Sequence, residues 1–214
     1  MVQKYLCLLL ISLVLVGCAF GRKQDYLQAH PVLELTQEAP LAVGVQDRRP
    51  YILDHDKDED FVGLQRGGYG NPFDVGTQSK QALAEDMAKV LTVALGRSGA
   101  MVTPVKLSPS LSKAEAIGAL QSTNAEKSLL LLLYEWKSDT YNGTEIIYEL
   151  EMEAIDKQGK VLARKRAQGI DQLGAAFWDP QGHAQEAVPA AFQRKLEDLF
   201  LGEIADVLNR SDSD

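Results

Sequence analysis

Five consecutive leucines, Leu129 to Leu133, limit what this chain can fold into more than any other feature. A half-buried strand alternates apolar and polar residues. A run apolar at every position must be covered on both faces, so it belongs in the middle of a sheet. Tyr134 and Trp136 extend the run, and Asp139 closes it. Asn142-Gly143 is a hairpin signal. Beyond it Ile146, Tyr148, Leu150, Met152 and Ala154 alternate with Glu145, Glu149, Glu151 and Glu153. A turn at 156–159 leads into a third strand from Lys160 to Gln168. Pairing Asp156 with Gly159 would set Glu151 opposite Arg164 and Glu149 opposite Arg166 on a solvated face. In the first hairpin a one-residue bulge would align Trp136, Tyr134 and Leu132 with Leu150, Met152 and Ala154.

Other elements flank this meander. Leu41, Val43 and Val45 alternate as a first strand. Leu83, Met87, Val90, Leu91 and Ala94 recur at helical spacing, in a helix opening at Gly76-Thr77 and ending at Gly96 and Gly99. Residues 100–105 make a short strand. Ser112-Lys113-Ala114-Glu115 is a capping box that starts a helix reaching about Gln121. Phe192, Leu196, Leu199, Phe200, Ile204 and Val207 form the stripe of a last helix beginning near Pro189. The predicted fold is therefore α+β. It is a single domain, residues 40–208, with a mostly antiparallel sheet of about four or five strands, two or three packed helices and a polar tail at 209–214. Between Arg48 and Gly76 the sequence is glycine-rich and shows no periodicity, so 48–76 reads as a long loop.

No chemistry stands out. Counting an EF-hand loop from Asp54 places Glu59 where Gly is required and Gln65 where Glu is required. Gly63 to Gly70 lacks the Lys-Ser/Thr of a P-loop and does not form GxGxxG. His30, His55 and His183 stand apart from one another, without metal-ligand spacing. No catalytic, cofactor-binding or metal-binding residue is assigned, and no cofactor is expected. Arg48, Arg49 and Arg66 lie in or beside the long loop together with Tyr51 and Tyr69. Arginine and tyrosine are enriched at binding hot spots, so these five residues form the candidate binding surface.

The N-terminus has a separate logic. Lys4 precedes an apolar run from Tyr5 to Val16, about 18 Å long as a helix and too short for a ~30 Å hydrocarbon core. Such a run reads as a secretory signal. Leu15-Val16-Gly17-Cys18 resembles the lipobox of bacterial lipoproteins. The resemblance implies cleavage after a signal peptide at 1–17, a thioether-linked diacylglycerol on Cys18 and an acyl (palmitate) chain on its amine. Residues 18–39 then form the lipidated cysteine and a tether. Ala19 after the cysteine implies the periplasmic face of the outer membrane rather than the inner membrane. Two or three acyl chains would make attachment effectively permanent. Removal of 1–17 takes Lys4 and no acid, leaving a net charge of −9. That balance argues against nucleic acid as a partner. With Cys7 removed and Cys18 blocked, no free thiol remains.

Val43-Gly44-Val45-Gln46-Asp47-Arg48 as a first strand, with Leu91, Leu95 and Gly99-Ala100-Met101-Val102 closing the first helix, loosely resembles the YajG-type lipoproteins. The long 48–76 insertion departs from that pattern. The resemblance implies outer-membrane anchoring and carries over no catalytic residue. The expected function is a non-enzymatic binding or assembly/accessory module of the envelope that binds a protein or envelope component through 48–76 and an adjacent sheet edge. The alternatives are an envelope hydrolase, or a carrier of an apolar ligand in a cavity beneath Leu129–Trp136. Labelling cells with an alkyne-bearing fatty acid is expected to mark the wild-type protein and leave Cys18→Ala unmarked. Equal labelling of both would contradict the lipobox reading.

Overall fold

A computed structural model of the chain describes residues 23–36 and 39–210. The signal segment, Cys18 and residues 211–214 lie outside them. The described chain forms an eight-stranded sheet and five helices. The strands are β1 (Lys23–Gln24), β2 (Leu41–Asp47), β3 (Phe61–Arg66), β4 (Pro72–Thr77), β5 (Val102–Lys106), β6 (Lys127–Thr140), β7 (Thr144–Asp156) and β8 (Val161–Gly174). The helices are α1 (Pro50–Leu53), α2 (Leu83–Arg97), α3 (Lys113–Gln121), α4 (Pro180–Phe200) and α5 (Glu203–Leu208).

The leucine run is central, as its pattern requires. Leu129, Leu131 and Leu133 point into a large core with α2 and α4, while Leu130 and Leu132 point into a smaller core under α3. Each fully buried leucine contributes roughly 1.5–3 kcal/mol, so this segment commits β6 to a place with cover on both sides. The sheet is mixed rather than mostly antiparallel, and it has more strands than the predicted four or five. β6–β7, β7–β8 and β3–β4 pair antiparallel, whereas β2–β5, β2–β6, β3–β6 and β1–β4 pair parallel.

The extra strands come from segments read as irregular. The predicted loop 48–76 contains α1 and the β3–β4 hairpin, and the hairpin extends the sheet along the second half of β6. Gly63 permits this close approach: a Cβ there would sit 2.4 Å from the Ser138 carbonyl oxygen. Residues 23–36, read as tether, instead lie against the domain. Tyr26, Leu33 and Leu35 are buried, and the Tyr26 hydroxyl accepts from the Trp136 indole at 2.7 Å. Beyond β1, amides of this strap bond side chains: His30 N–H donates to Gln193 and Val32 N–H to Glu197.

Smaller corrections have local causes. α2 begins at Leu83, because Gly76 and Thr77 finish β4. α4 begins at Pro180 behind the Asp179 N-cap, and Pro189 sits inside it. Pro189 cannot bond the Gln185 carbonyl, which accepts from the Gln28 side chain at 3.3 Å. That external partner offsets part of the cost of an interior proline. The β6–β7 bulge exists but falls between Leu133 and Glu135, so Leu133 faces Leu150 and Trp136 faces Tyr148. A turn one residue longer than expected, with Ile155 opposite Val161, and a one-residue bulge at Ala154/Ile155 together move β8 by two residues, placing Glu153 opposite Arg164 and Glu151 opposite Arg166. The expected ion pairs survive as diagonals, Arg164–Glu151 and Arg166–Glu149. Glu153 is not on a solvated face. It is buried beneath α3, held by Lys113 at 2.7 Å and by Arg164.

β2 and β3 lie end to end along one edge of β6. β2 pairs with Lys127–Leu133 and β3 with Ser138–Thr140. The seam between them is closed by Arg49, which is completely buried. Its guanidinium pairs with Asp47 through Nε (2.9 Å) and Nη2 (2.7 Å), and Nη1 donates to the carbonyls of Phe61 (2.6 Å) and Trp136 (3.4 Å). Burial alone disfavours this cation, but the bonds from Asp47, its charge and nearby Tyr51 outweigh that, and the pKa is raised. Removing one partner of a buried pair costs about 3–5 kcal/mol. Arg49→Met is therefore expected to lower urea-unfolding stability by that amount, and Asp47→Asn/Arg49→Met by less than the sum of the two single changes. Strict additivity would contradict a shared network.

Candidate functional site

Two surfaces could carry a function: the uncovered part of the sheet, and a groove at its parallel edge. The sheet face opposite α4 is covered by α3 only over the first half of β6. Over the second half its residues are Glu135, Lys137 and Asp139 on β6, Ile147 and Glu149 on β7, and Arg166, Gln168 and Ile170 on β8. The β3–β4 hairpin continues this face, since Leu64 aligns with Asp139 and Asp74 with Leu64.

The five sequence candidates do not form one surface. Arg49 is the seam residue and reaches no solvent. Arg48 is half-buried, donates Nη1 to the Leu111 carbonyl at 2.9 Å and so ties β2 to the loop before α3. Tyr51 and Arg66 do share the open face. Tyr51, on α1, donates its hydroxyl to Glu135 at 2.5 Å and packs edge-on against Phe61. Arg66 grips Asp139 with two bonds, Nε to Oδ1 at 2.8 Å and Nη2 to Oδ2 at 2.5 Å. Tyr69 is fully exposed in the β3–β4 turn, three residues beyond Arg66. The sequence reading missed Ile170 and the β8 face because β8 was expected to stop at Gln168. No pattern in the sequence signals this extension, because the alternation inverts where Ile170 is exposed and Asp171 faces inward.

The groove holds about 540 Å³ and lies where β2 and β5 end against the start of α2. Val45, Ala84, Ala88, Pro104 and Leu107 make its walls, and Glu85 pairs with Lys106 at 2.5 Å on its rim. Carboxyl ends of parallel strands are where open α/β sheets place ligand crevices. The cavity envisaged beneath Leu129–Trp136 is not there, because Leu129 to Leu133 and Trp136 are packed to near-zero exposure. Among the described residues no group of three His, Cys, Asp or Glu could hold a metal ion, and no helix is long and apolar enough to cross a membrane.

No protein-family model and no curated protein matches the chain. Among solved structures it is similar to protein XCC0632 from Xanthomonas campestris, of the DUF330 family, at 14% identity. That match covers 87% of this chain and 89% of that one, with a TM-score of 0.43. It is also similar to PelC from Paraburkholderia phytofirmans at 13% identity, covering 86% and 96% with a TM-score of 0.43. A third is lipoprotein GNA1162 from Neisseria meningitidis, at 12% identity, covering 73% and 99% with a TM-score of 0.38. These are distant likenesses, and nothing about function passes from those proteins to this chain.

The tyrosine environments make the site testable by pH. Burial pushes the Tyr51 phenol well above its ordinary value; the Arg49 charge opposes this, and the Glu135 carboxylate accepting its proton adds to it. Tyr26 is raised too, by burial against the opposing Trp136 hydrogen bond. Above about pH 10 the unfolded chain releases these protons and the folded chain keeps them, so stability falls as pH rises. Tyr51→Phe is expected to flatten that fall without reducing the native phenolate absorbance step near pH ~10. A lost step would show that Tyr51 ionises freely and contradict its burial against Glu135.

Proposed function

We propose that the chain is a lipid-anchored, non-enzymatic binding or accessory module of the bacterial envelope, attached through acyl chains on Cys18 at the periplasmic face of the outer membrane. Its partner is an envelope protein. The observation that carries the binding reading is the half-covered sheet: α3 protects one half of a face, and the other half, with Arg66, Ile147 and Ile170, is left to solvent. β8 has one strand neighbour, β7, along its 14 residues. Lys and Arg guard edge strands against unwanted pairing, and here Arg164, Lys165 and Arg166 occupy only the first half. Beyond Arg166 the edge carries Asp171 alone among charged residues and presents exposed Ile170. That half suits addition of a partner strand, in which main-chain bonds give affinity and neighbouring side chains give specificity.

The lipobox resemblance supplies the location, and a net charge of −9 leaves the acyl chains as the means of attachment. A photoreactive amino acid at Ile170, in cells of the native host, is expected to give a discrete cross-linked species. The same probe at Gln158, in the β7–β8 turn, serves as the control. Identical products from both positions, or none from Ile170, would contradict a partner on this face.

A further inference from the structure

Pairing places every strand end beyond Thr140 on one line across the sheet. Arg66 meets Pro72, Gln65 meets Thr140, Thr140 meets Thr144 and Thr144 meets Gly174. Three connections therefore emerge side by side: residues 67–71, 141–143 and 175–179. The Tyr141 hydroxyl donates to the Gly68 carbonyl at 3.4 Å, joining the first two, and Gly143 lies against Gly174, joining the second to the third.

The composition of this end is unusual. These thirteen residues read Gly-Gly-Tyr-Gly-Asn, Tyr-Asn-Gly and Ala-Ala-Phe-Trp-Asp, with Asp179, the N-cap of α4, as their one charge, in a chain that is 24% charged. Tyr69 is fully exposed, Phe177 is 85% exposed and Trp178 is 92% exposed. Phe177 and Trp178 stack edge-to-face at 5.0 Å, touching each other rather than the core. Keeping such rings in water is unfavourable, and amphipathic tyrosine and tryptophan settle at the boundary between lipid and water. The opposite end, at the β7–β8 turn, reads Asp-Lys-Gln-Gly-Lys. Since β7 is 13 residues long, the two ends lie roughly 40 Å apart.

The course of the chain selects the occupant. β1 runs parallel to β4, with Lys23 beside Gly76, so the polypeptide enters Lys23 from the side on which β4 begins. Cys18 is five residues before Lys23, and Asn71 is five residues before Gly76. Five residues reach at most about 17 Å, the same length that separates Gly76 from the aromatic end. A cysteine on so short a lead cannot place its acyl chains far from the domain. We propose that the end formed by Tyr69, Tyr141, Phe177 and Trp178 is a membrane-contact face that rests in the interfacial layer of the bilayer holding Cys18. This inference rests on the acylation of Cys18 proposed above. It gives the domain a fixed orientation, with Asp156–Lys160 pointing away from the membrane and the β8 edge standing along the membrane normal.

The chain carries its own probe, because its two tryptophans are Trp136, fully buried, and Trp178. The acylated protein, extracted from its host and checked by the mass at Cys18, is reconstituted into phosphatidylcholine vesicles with and without acyl-chain bromination. Bromine, a short-range quencher, is expected to remove about half or more of the emission, a loss absent in Trp178→Phe. In that background Gln158→Trp is expected to emit equally in both vesicles. Acylated protein with no quenching of Trp178, or with Gln158→Trp quenched as strongly, would overturn the membrane-contact face and leave the anchor intact. An unmodified mass at Cys18 would overturn the anchor and the inference built on it.

Discussion

Two strands run parallel to the same edge of β6, and the guanidinium of Arg49 closes the gap between them. β2 ends at Asp47, β3 begins at Phe61, and between them β6 bulges after Leu133. A break of this kind leaves carbonyls without strand partners, and burying them unpaired would cost about 1–3 kcal/mol each. Arg49 supplies donors to Phe61, Trp136 and, at 3.3 Å, Glu59, while Asp47 neutralises it. Tyr51 and Glu135 lie directly over this seam, with the Arg49 cation 5.4 Å from the Tyr51 ring. β6, β7 and β8 run through both halves of the sheet, and along the β2–β3 edge this one side chain makes the junction.

What that junction supports is reach. Without β3 and β4 beside it, the end of β6 would extend past the core paired only to β7. With them it carries a broad platform whose one face meets α4 and the aromatic cluster of Tyr26, Trp136 and Phe192, and whose other face is open. The strap at 23–36 binds over α4. Platform and aromatic end are thus set by one arrangement of strands.

Much of this was legible in the residues. The leucine run, the alternating glutamates of β7 and the Ser112–Glu115 capping box carry their structural meaning locally, and each formed the expected kind of element. Arg49 was not legible as a core residue, because arginine belongs on the surface unless a partner is buried with it. Its partner two positions earlier looked like the polar end of a strand. β3 and β4 are short and interrupted by Gly63, so neither shows a period-two signal. The β8 register depended on a turn one residue longer than expected and a bulge at Ala154/Ile155, which no local pattern announces. Residues 31–35 alternate in burial, but apolar Val32 at an exposed position hides that alternation in the sequence. On the open face, Tyr51 and Arg66 were foreseen and Ile170 was not.

The most direct measurement of the seam is hydrogen–deuterium exchange read peptide by peptide in the wild-type protein and in Arg49→Met under native conditions. If Arg49 joins two halves of the sheet, amides of 61–66 and 136–140 lose protection in the variant, while those of 41–45 and 129–132 keep theirs. Uniform loss across all of these segments, or no loss at 61–66 and 136–140, would contradict that role.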